Sequence, residues 1–209
     1  AYKSIFNTIK KYKKSSAIIT DIGSTKQNII NVLKLATADY EEFFIGSHPL
    51  TGKETSMVTS YEKNLFDKAV VLVTPTEKTK KVLVNKVSKF WRAMKCKVTT
   101  ISPELHDLVL SETSHLPHLV SFALVNIILN TKSIKNIKDY TGGGFRDFAR
   151  LAHSDGIMWS DICSTNDKNI ITSINMLIKE LSLIKNMIKS NNKSLHLYLN
   201  GIKAKLDKK

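Results

Sequence analysis

The stretch Ala17-Ile18-Ile19-Thr20-Asp21-Ile22-Gly23-Ser24-Thr25-Lys26 decides the fold of the first half of the chain. Its first four residues are apolar or β-branched and read as a short buried strand; a polar turn with one glycine follows. From residue 26 to 35 the apolar spacing becomes helical. A strand running through a short turn into a helix is the repeating unit of an open α/β sheet. The same grammar recurs downstream. Phe43-Phe44-Ile45, Ala69-Val70-Val71-Leu72-Val73 and Val98-Thr99-Thr100-Ile101 read as further strands. Residues 77–94 read as a helix, with Lys81, Asn85 and Lys89 on a polar face opposite Leu83, Val87 and Phe90. Residues 1–101 are therefore expected to form an open, mostly parallel sheet.

From Ser102 the strand signal stops. Ser102-Pro103-Glu104 is a helix start, with Ser as N-cap and Pro in the first turn. Leu105, Val109 and residues 119–129 continue an apolar helical region. Residues 165–187 give another helix, with Ile170, Ile174, Leu177, Leu181 and Ile184 spaced by three and four. Residues 102–209 are expected to be all-helical. Their apolar helices fit either a bundle core or a face buried against a second subunit.

Composition narrows the function classes. The chain of 209 residues carries a net charge of +14, which raises nucleic-acid binding as a reading. Lysine supplies nearly all of that charge along the whole length, and the only arginines are Arg92, Arg146 and Arg150. Phosphate-clamping and base-reading surfaces favour the guanidinium fork, so no nucleic-acid partner is expected. No apolar run has the evident length of a bilayer span and no secretory leader opens the sequence, so a cytoplasmic protein without membrane contact is expected. Cys96 and Cys163 lack metal-ligand spacing; two reduced thiols and no metal site are expected.

Four polar segments interrupt the apolar pattern. In Asp21-Ile22-Gly23-Ser24-Thr25-Lys26, Ser24 or Thr25 caps the next helix, whose N-terminus could also face an anion; the segment lies at a strand's carboxyl end, where open α/β sheets bind ligands. Gly46-Ser47-His48-Pro49-Leu50-Thr51-Gly52-Lys53-Glu54 offers a histidine held by a following proline. With an ordinary pKa of about 6.5 it suits proton transfer, although a structural histidine gives the same pattern. Ser114-His115-Leu116-Pro117-His118 sets polar residues and a helix-breaking proline in an apolar region, a costly arrangement that fits a lined pocket. Gly142-Gly143-Gly144-Phe145-Arg146-Asp147-Phe148-Ala149-Arg150 turns into a helix that puts Arg146 and Arg150 four apart. They fit a carboxylate clamp, or an exposed pair bonded to Asp147 and Asp155. The glycine triplet has neither the spacing nor the following βαβ unit of a dinucleotide fingerprint.

Taken in order, DIGSTK, GSHPLTGKE, SPELHD, SHLPH, GGGFRDFAR and SDGIMWSDI resemble the prephenate/arogenate dehydrogenase family across essentially the whole chain. The resemblance implies an incomplete Rossmann-type parallel sheet (residues 1–101, the later part of an NAD(P)-binding domain) followed by a helical substrate-binding and dimerisation domain (102–209). It implies oxidation of prephenate to 4-hydroxyphenylpyruvate in tyrosine biosynthesis, with hydride transfer to NAD, or alternatively NADP, and loss of the ring carboxylate as CO2.

The resemblance also carries residue roles. His48 would accept the C4 hydroxyl proton, and Ser24 would hydrogen-bond both His48 and that hydroxyl. Arg150 would bind a substrate carboxylate. His118 and Ser114 would line the pocket, Arg146 and Trp159 would stand at its edge, and Thr51 and Glu54 would border it. Ser24 and Gly23 would lie against the cofactor. A homodimer through the helical domain is implied as well.

Two departures from the family pattern stand out. Met57 occupies a position where the family usually has glycine. No GxGxxG turn is present, and the chain opens in the helix of residues 2–12, so at least one βαβ unit of roughly 30 residues is expected upstream. Weak or absent NAD binding by this polypeptide alone is therefore expected, and a calorimetric titration reads it. Other readings are an arogenate or cyclohexadienyl dehydrogenase, another two-domain dehydrogenase with a helical second domain, and a truncated remnant serving only for binding or dimerisation.

Overall fold

A computed structural model describes residues 2–37, 39–51, 63–131, 137–190 and 194–208. The elements, in order, are α1 (Tyr2–Tyr12), β1 (Ile19–Thr20), α2 (Gln27–Ala36), β2 (Phe44–Pro49), β3 (Val70–Thr74), α3 (Lys81–Ala93) and β4 (Lys97–Thr100). Then follow α4 (Pro103–Leu110), one π-helical turn (Ser111–His115), α5 (Leu116–Leu129), α6 (Gly143–Ala152), α7 (Gly156–Thr165), α8 (Asp167–Lys189) and α9 (Ser194–Leu206). An α/β part thus precedes an all-α part, as the sequence pattern implies.

The four strands form one sheet in the order β1-β2-β3-β4. β1 pairs with β2 and β3 with β4 in parallel, but β2 and β3 are antiparallel, with His48 opposite Leu72. Two of the three pairings are parallel, in keeping with a mostly parallel sheet, and the antiparallel one makes the sheet mixed, which corrects the wholly parallel sheet that the resemblance implied. α2 and α3 supply the helical crossovers that the two parallel pairs require, whereas an antiparallel return needs none. Apolarity marks a strand as buried; it does not carry the strand's direction.

Side-chain alternation along β2 divides the core. Phe44 packs on one face with Phe6 of α1 and Ile29, Ile30 and Leu33 of α2. The next residue, Ile45, points to the other face, among Val71, Val73, Leu83, Val87 and Trp91. With both faces covered by helices, Phe44 and Ile45 of β2 and Val71–Val73 of β3 are all buried. On α3 Leu83 and Val87 are buried and Lys81, Asn85 and Lys89 exposed, as read, but the buried aromatic is Trp91, and Phe90 is 54% exposed. Trp91 Nε1 donates to Ser47 Oγ at 3.0 Å, which satisfies the indole and ties α3 to β2.

Ser102 caps α4 as read, its side chain accepting from Leu105 N with Pro103 in the first turn. The cluster around Pro117 is not a loop. The π turn widens the helix so that α4 and α5 run on through the proline, a device that occurs often at functional sites. The resulting continuous helical run, Pro103–Leu129, spans 27 residues and includes an 18-residue window of mean hydropathy 1.2. By length and composition alone it could cross a bilayer, contrary to the sequence reading. His106, Asp107, Ser111, His115 and Ser121 along it are buried, with at most 1% exposure, as expected for a helix that carries a polar site inside a protein.

The chain divides into two compact units, Ala1–Ile170 and Ile171–Lys209. In the first, α4 joins the sheet region through hydrogen bonds from Lys26 and Gln27 to Asp107, so helices beyond residue 102 share its packing. The second holds most of α8 together with α9, where Tyr198 hydrogen-bonds Glu180. It exposes Ile178, Leu181, Ile188, Leu197 and Leu206. Both cysteines are free thiols.

Candidate active site

The site starts from the turn after β1. Lys26 is fully buried, and its Nζ donates to Asp21 Oδ2 and Gly23 O, both at 2.6 Å. Asp21 Oδ2 also accepts from Gly23 N at 2.9 Å, and Oδ1 accepts from Ser47 N at 3.3 Å. One buried ion pair therefore fixes the loop that carries Ser24 and pins it to β2. Glycine is needed at 46 because a Cβ there would lie 2.4 Å from Thr74 Oγ1 and 3.0 Å from the Lys26 chain. Gly23 lies under Tyr2, whose hydroxyl would sit 2.5 Å from an added Cβ.

Neither Ser24 nor Thr25 caps α2. Its first N–H groups are capped by a side chain 80 positions away: Asp107 Oδ1 accepts from Lys26 N at 2.8 Å, and Oδ2 accepts from Gln27 N at 2.9 Å. A carboxylate at a helix N-terminus satisfies orphan donors and the helix dipole together. Thr25 Oγ1 instead bonds Thr165 Oγ1 at 3.0 Å.

Asp107 also holds His106, whose Nδ1 lies 2.8 Å from Oδ1, and His106 Nε2 lies 2.9 Å from His48 Nδ1. Among the described residues, the hydrogen bond of His48 thus runs from Nδ1 to His106, and Ser24, the partner that the resemblance implied, lines the same cleft. Asn166 Nδ2 closes the network, donating to Asp107 O at 2.8 Å beside His115 Nδ1 at 3.3 Å. Sequence reasoning gave no role to His106, Asp107, Lys26 or Asn166.

A cleft of about 610 Å³ opens beside this network, lined by Ser24, His48, Thr51, Ser114, His118, Arg150 and Trp159 among others. Thr51 Oγ1 donates to Leu65 O at 3.0 Å. His118 Nδ1 bonds Ser114 O at 2.9 Å and its ring stacks on Trp159 with centroids 4.1 Å apart. Trp159 is buried, and its Nε1 has no hydrogen-bond partner among the described residues. Arg146 is exposed one turn before Arg150 on α6 and is outside the cleft lining. Glu54, Gly52 and Met57 lie outside the described residues. A second cleft, between α2, the end of β4 and the start of α4, contains none of these groups.

Burial is the main cause that lowers the pKa of His48 to about 3, followed by the neighbouring His106, Lys26 and His115. Burial likewise takes His115 down to about 4; Asp107 opposes the fall, while His106 and His118 add to it. Between these values and about 6.5, where an unfolded histidine takes up a proton, both imidazoles thus stay neutral in the folded protein. The unfolded chain binds more protons below that value, so stability should fall as pH drops from about 6.5, and the His115 and His48 contributions level off near about 4 and about 3. Thermal midpoints across this range check the sign: a midpoint that rises on acidification would contradict the burial of neutral imidazoles.

The geometry agrees with comparison to known proteins. Residues 2–100 match the family model "Prephenate dehydrogenase, nucleotide-binding domain", and residues 102–200 match "Prephenate dehydrogenase, dimerization domain". The prephenate dehydrogenase of Aquifex aeolicus, crystallised with hydroxyphenyl propionate and NAD+, is 36% identical with a TM-score of 0.88, over 99% of this chain and 72% of that one. The chain belongs to the prephenate/arogenate dehydrogenase family. Prephenate dehydrogenase of Bacillus subtilis (strain 168) is 33% identical over 82% of this chain, which spans only 46% of that relative. Synechocystis arogenate dehydrogenase is 25% identical with a TM-score of 0.82, over 100% of this chain and 76% of that one. The two family matches meet at residues 100–102, where the strand signal gives way to helix.

The family's nucleotide-binding domain implies a nicotinamide dinucleotide. At the carboxyl ends of β1 and β2, where such a sheet receives its ligand, stand Ser24 and His48 on the rim of the cleft. The residues present therefore fit the reactive end of the cofactor. A Gly-rich phosphate turn is not part of this sequence.

Proposed function

We propose that the protein containing this chain is an NAD(P)-dependent prephenate dehydrogenase, and that this chain supplies the substrate side of its active site. The observation that carries the reading is the single cleft into which four segments, distant in sequence, deliver Ser24, His48, Ser114, His118, Arg150 and Trp159. Both family models that match the chain are those of prephenate dehydrogenase, which supports prephenate as substrate.

The bound cofactor supplies the hydride acceptor. His48, a neutral imidazole at any working pH, takes the proton of the C4 hydroxyl as hydride leaves C4, and Ser24 orients that hydroxyl. The ring carboxylate departs as CO2, and its bonding pair completes the aromatic ring. Prephenate is a dianion, and Arg150 gives one carboxylate a fixed cation. The unpartnered Trp159 Nε1 adds a buried donor in the same cleft. Exposed apolar residues on α5, α8 and α9, such as Ile127, Leu181 and Leu199, support a homodimer.

Steady-state assays with prephenate and with arogenate, reading reduced-nicotinamide absorbance, test the activity. Prephenate-dependent reduction is expected, and its absence with both substrates would defeat the proposal. Arg150→Gln should raise KM for prephenate on the order of 10–100-fold with a smaller change in kcat, the scale of a lost charge-assisted hydrogen bond. An unchanged KM would remove Arg150 from the substrate contacts. The ordinary histidine pKa places an acid limb at about 6.5, but burial moves that of His48 to about 3. The pH profile of kcat/KM should therefore stay flat through 6.5, and a limb there that follows His48 would contradict the burial argument.

A further inference from the structure

We infer that His106 and Asp107 are positioning residues that fix the tautomer of His48, so that its proton-accepting nitrogen is the one turned to the cleft. The inference rests on the proposed role of His48 as base. It follows from counting hydrogens along three groups. Asp107 already accepts from Lys26 N through Oδ1 and from Gln27 N through Oδ2, so its carboxylate is an acceptor on both oxygens. The hydrogen in the 2.8 Å gap to His106 must come from His106 Nδ1. A neutral His106 then presents only a lone pair at Nε2. The hydrogen in the 2.9 Å gap to His48 is consequently on His48 Nδ1. His48 Nε2 is left as the basic nitrogen, on a side chain that lines the cleft beside Ser24.

The arrangement is rigid as well as directional. His106 and Asp107 are both fully buried, and Asn166 holds the Asp107 backbone oxygen from α7's end. Asp107 simultaneously caps α2, the helix that follows the Ser24 loop. The same carboxylate therefore sets the base, through His106, and the hydroxyl-orienting loop, through the helix start. The opposite wiring is also definite: an imidazolium at His106 would donate from Nε2 to His48 Nδ1 and leave His48 with its hydrogen on Nε2, unable to accept a proton from the cleft.

Imidazole nitrogen NMR of the 209-residue chain near neutral pH separates the two, because protonated and unprotonated ring nitrogens resonate far apart. The expected spectrum has His48 as a single tautomer with hydrogen on Nδ1, and the same for His106. Hydrogen on His48 Nε2, or a fast-averaged mixture, would overturn the inference. His106→Leu removes the acceptor and should give a mixed His48 tautomer. His106→Gln keeps an acceptor oxygen in reach and should restore the Nδ1–H form; failure of Gln to differ from Leu would also count against the wiring. If the leucine variant does not fold, the wild-type spectrum still decides. In the cofactor-loaded enzyme, kcat should fall on the order of a hundredfold in His106→Leu, with KM little changed. The nitrogen spectrum does not depend on turnover. A protein that shows the Nδ1–H form but does not oxidise prephenate supports the wiring and sinks the proposed function. One that turns over with hydrogen on Nε2 sinks the wiring alone.

Discussion

Substituting asparagine for His48 should reduce turnover on the order of a thousandfold, within the range a positioned general base contributes. Asparagine is chosen because its amide can still donate toward His106, preserving the link that holds β2 against α4. It offers no basic nitrogen to the cleft. The loss should therefore fall on kcat, with substrate affinity nearly intact because Arg150 and Trp159 are untouched. Single-turnover measurements with prephenate read the chemical step directly. Turnover within about tenfold of the unsubstituted protein would show that another group accepts the proton.

The second large effect is on stability. Lys26→Met should cost about 3–5 kcal/mol, the scale of a broken buried ion pair. Lys26 has no exposed surface, and its ammonium reaches Asp21 Oδ2 and Gly23 O at 2.6 Å and Thr25 O at 3.3 Å. Burial pulls its pKa down, while Asp21 and then Asp107 push it back. Methionine fills similar space but leaves the Asp21 carboxylate and two carbonyls without their shared donor. Because Asp21 also accepts from Ser47 N, the damage should spread from the Ser24 loop to β2. Urea denaturation of the two proteins measures the difference. Adding Asp21→Asn should recover part of the loss, since the orphaned charge is then gone. A cost below about 1 kcal/mol for Lys26→Met alone would mean that water reaches the pair.

Much of this was legible from local patterns. Strand existence followed from continuous apolar runs, and the Ser102-Pro103 helix start from cap chemistry, because both depend on residues adjacent in sequence. The residues of the cleft lay in polar segments that a packed core would not require. What the sequence did not reveal was carried by long-range partners. Nothing near Ser24 or Thr25 announces that Asp107 caps α2. His106 stood within SPELHD without a role, since its task depends on α4 bringing it against β2. Helical spacing placed Arg146 and Arg150 on one face but could not say that the cleft reaches only Arg150. Trp91, rather than Phe90, turned inward because its N–H finds Ser47, a partner on another element. Strand direction was hidden for a related reason: Val70–Thr74 is equally apolar read either way.

If, as proposed, the substrate side of a prephenate dehydrogenase site is complete within this chain, the chain should bind prephenate on its own. A calorimetric titration of prephenate into the 209-residue chain tests it most directly. Saturable one-site binding is expected, which 4-hydroxyphenylpyruvate competes away and which Arg150→Gln weakens while His48→Asn does not. No binding, or binding indifferent to Arg150, would contradict it.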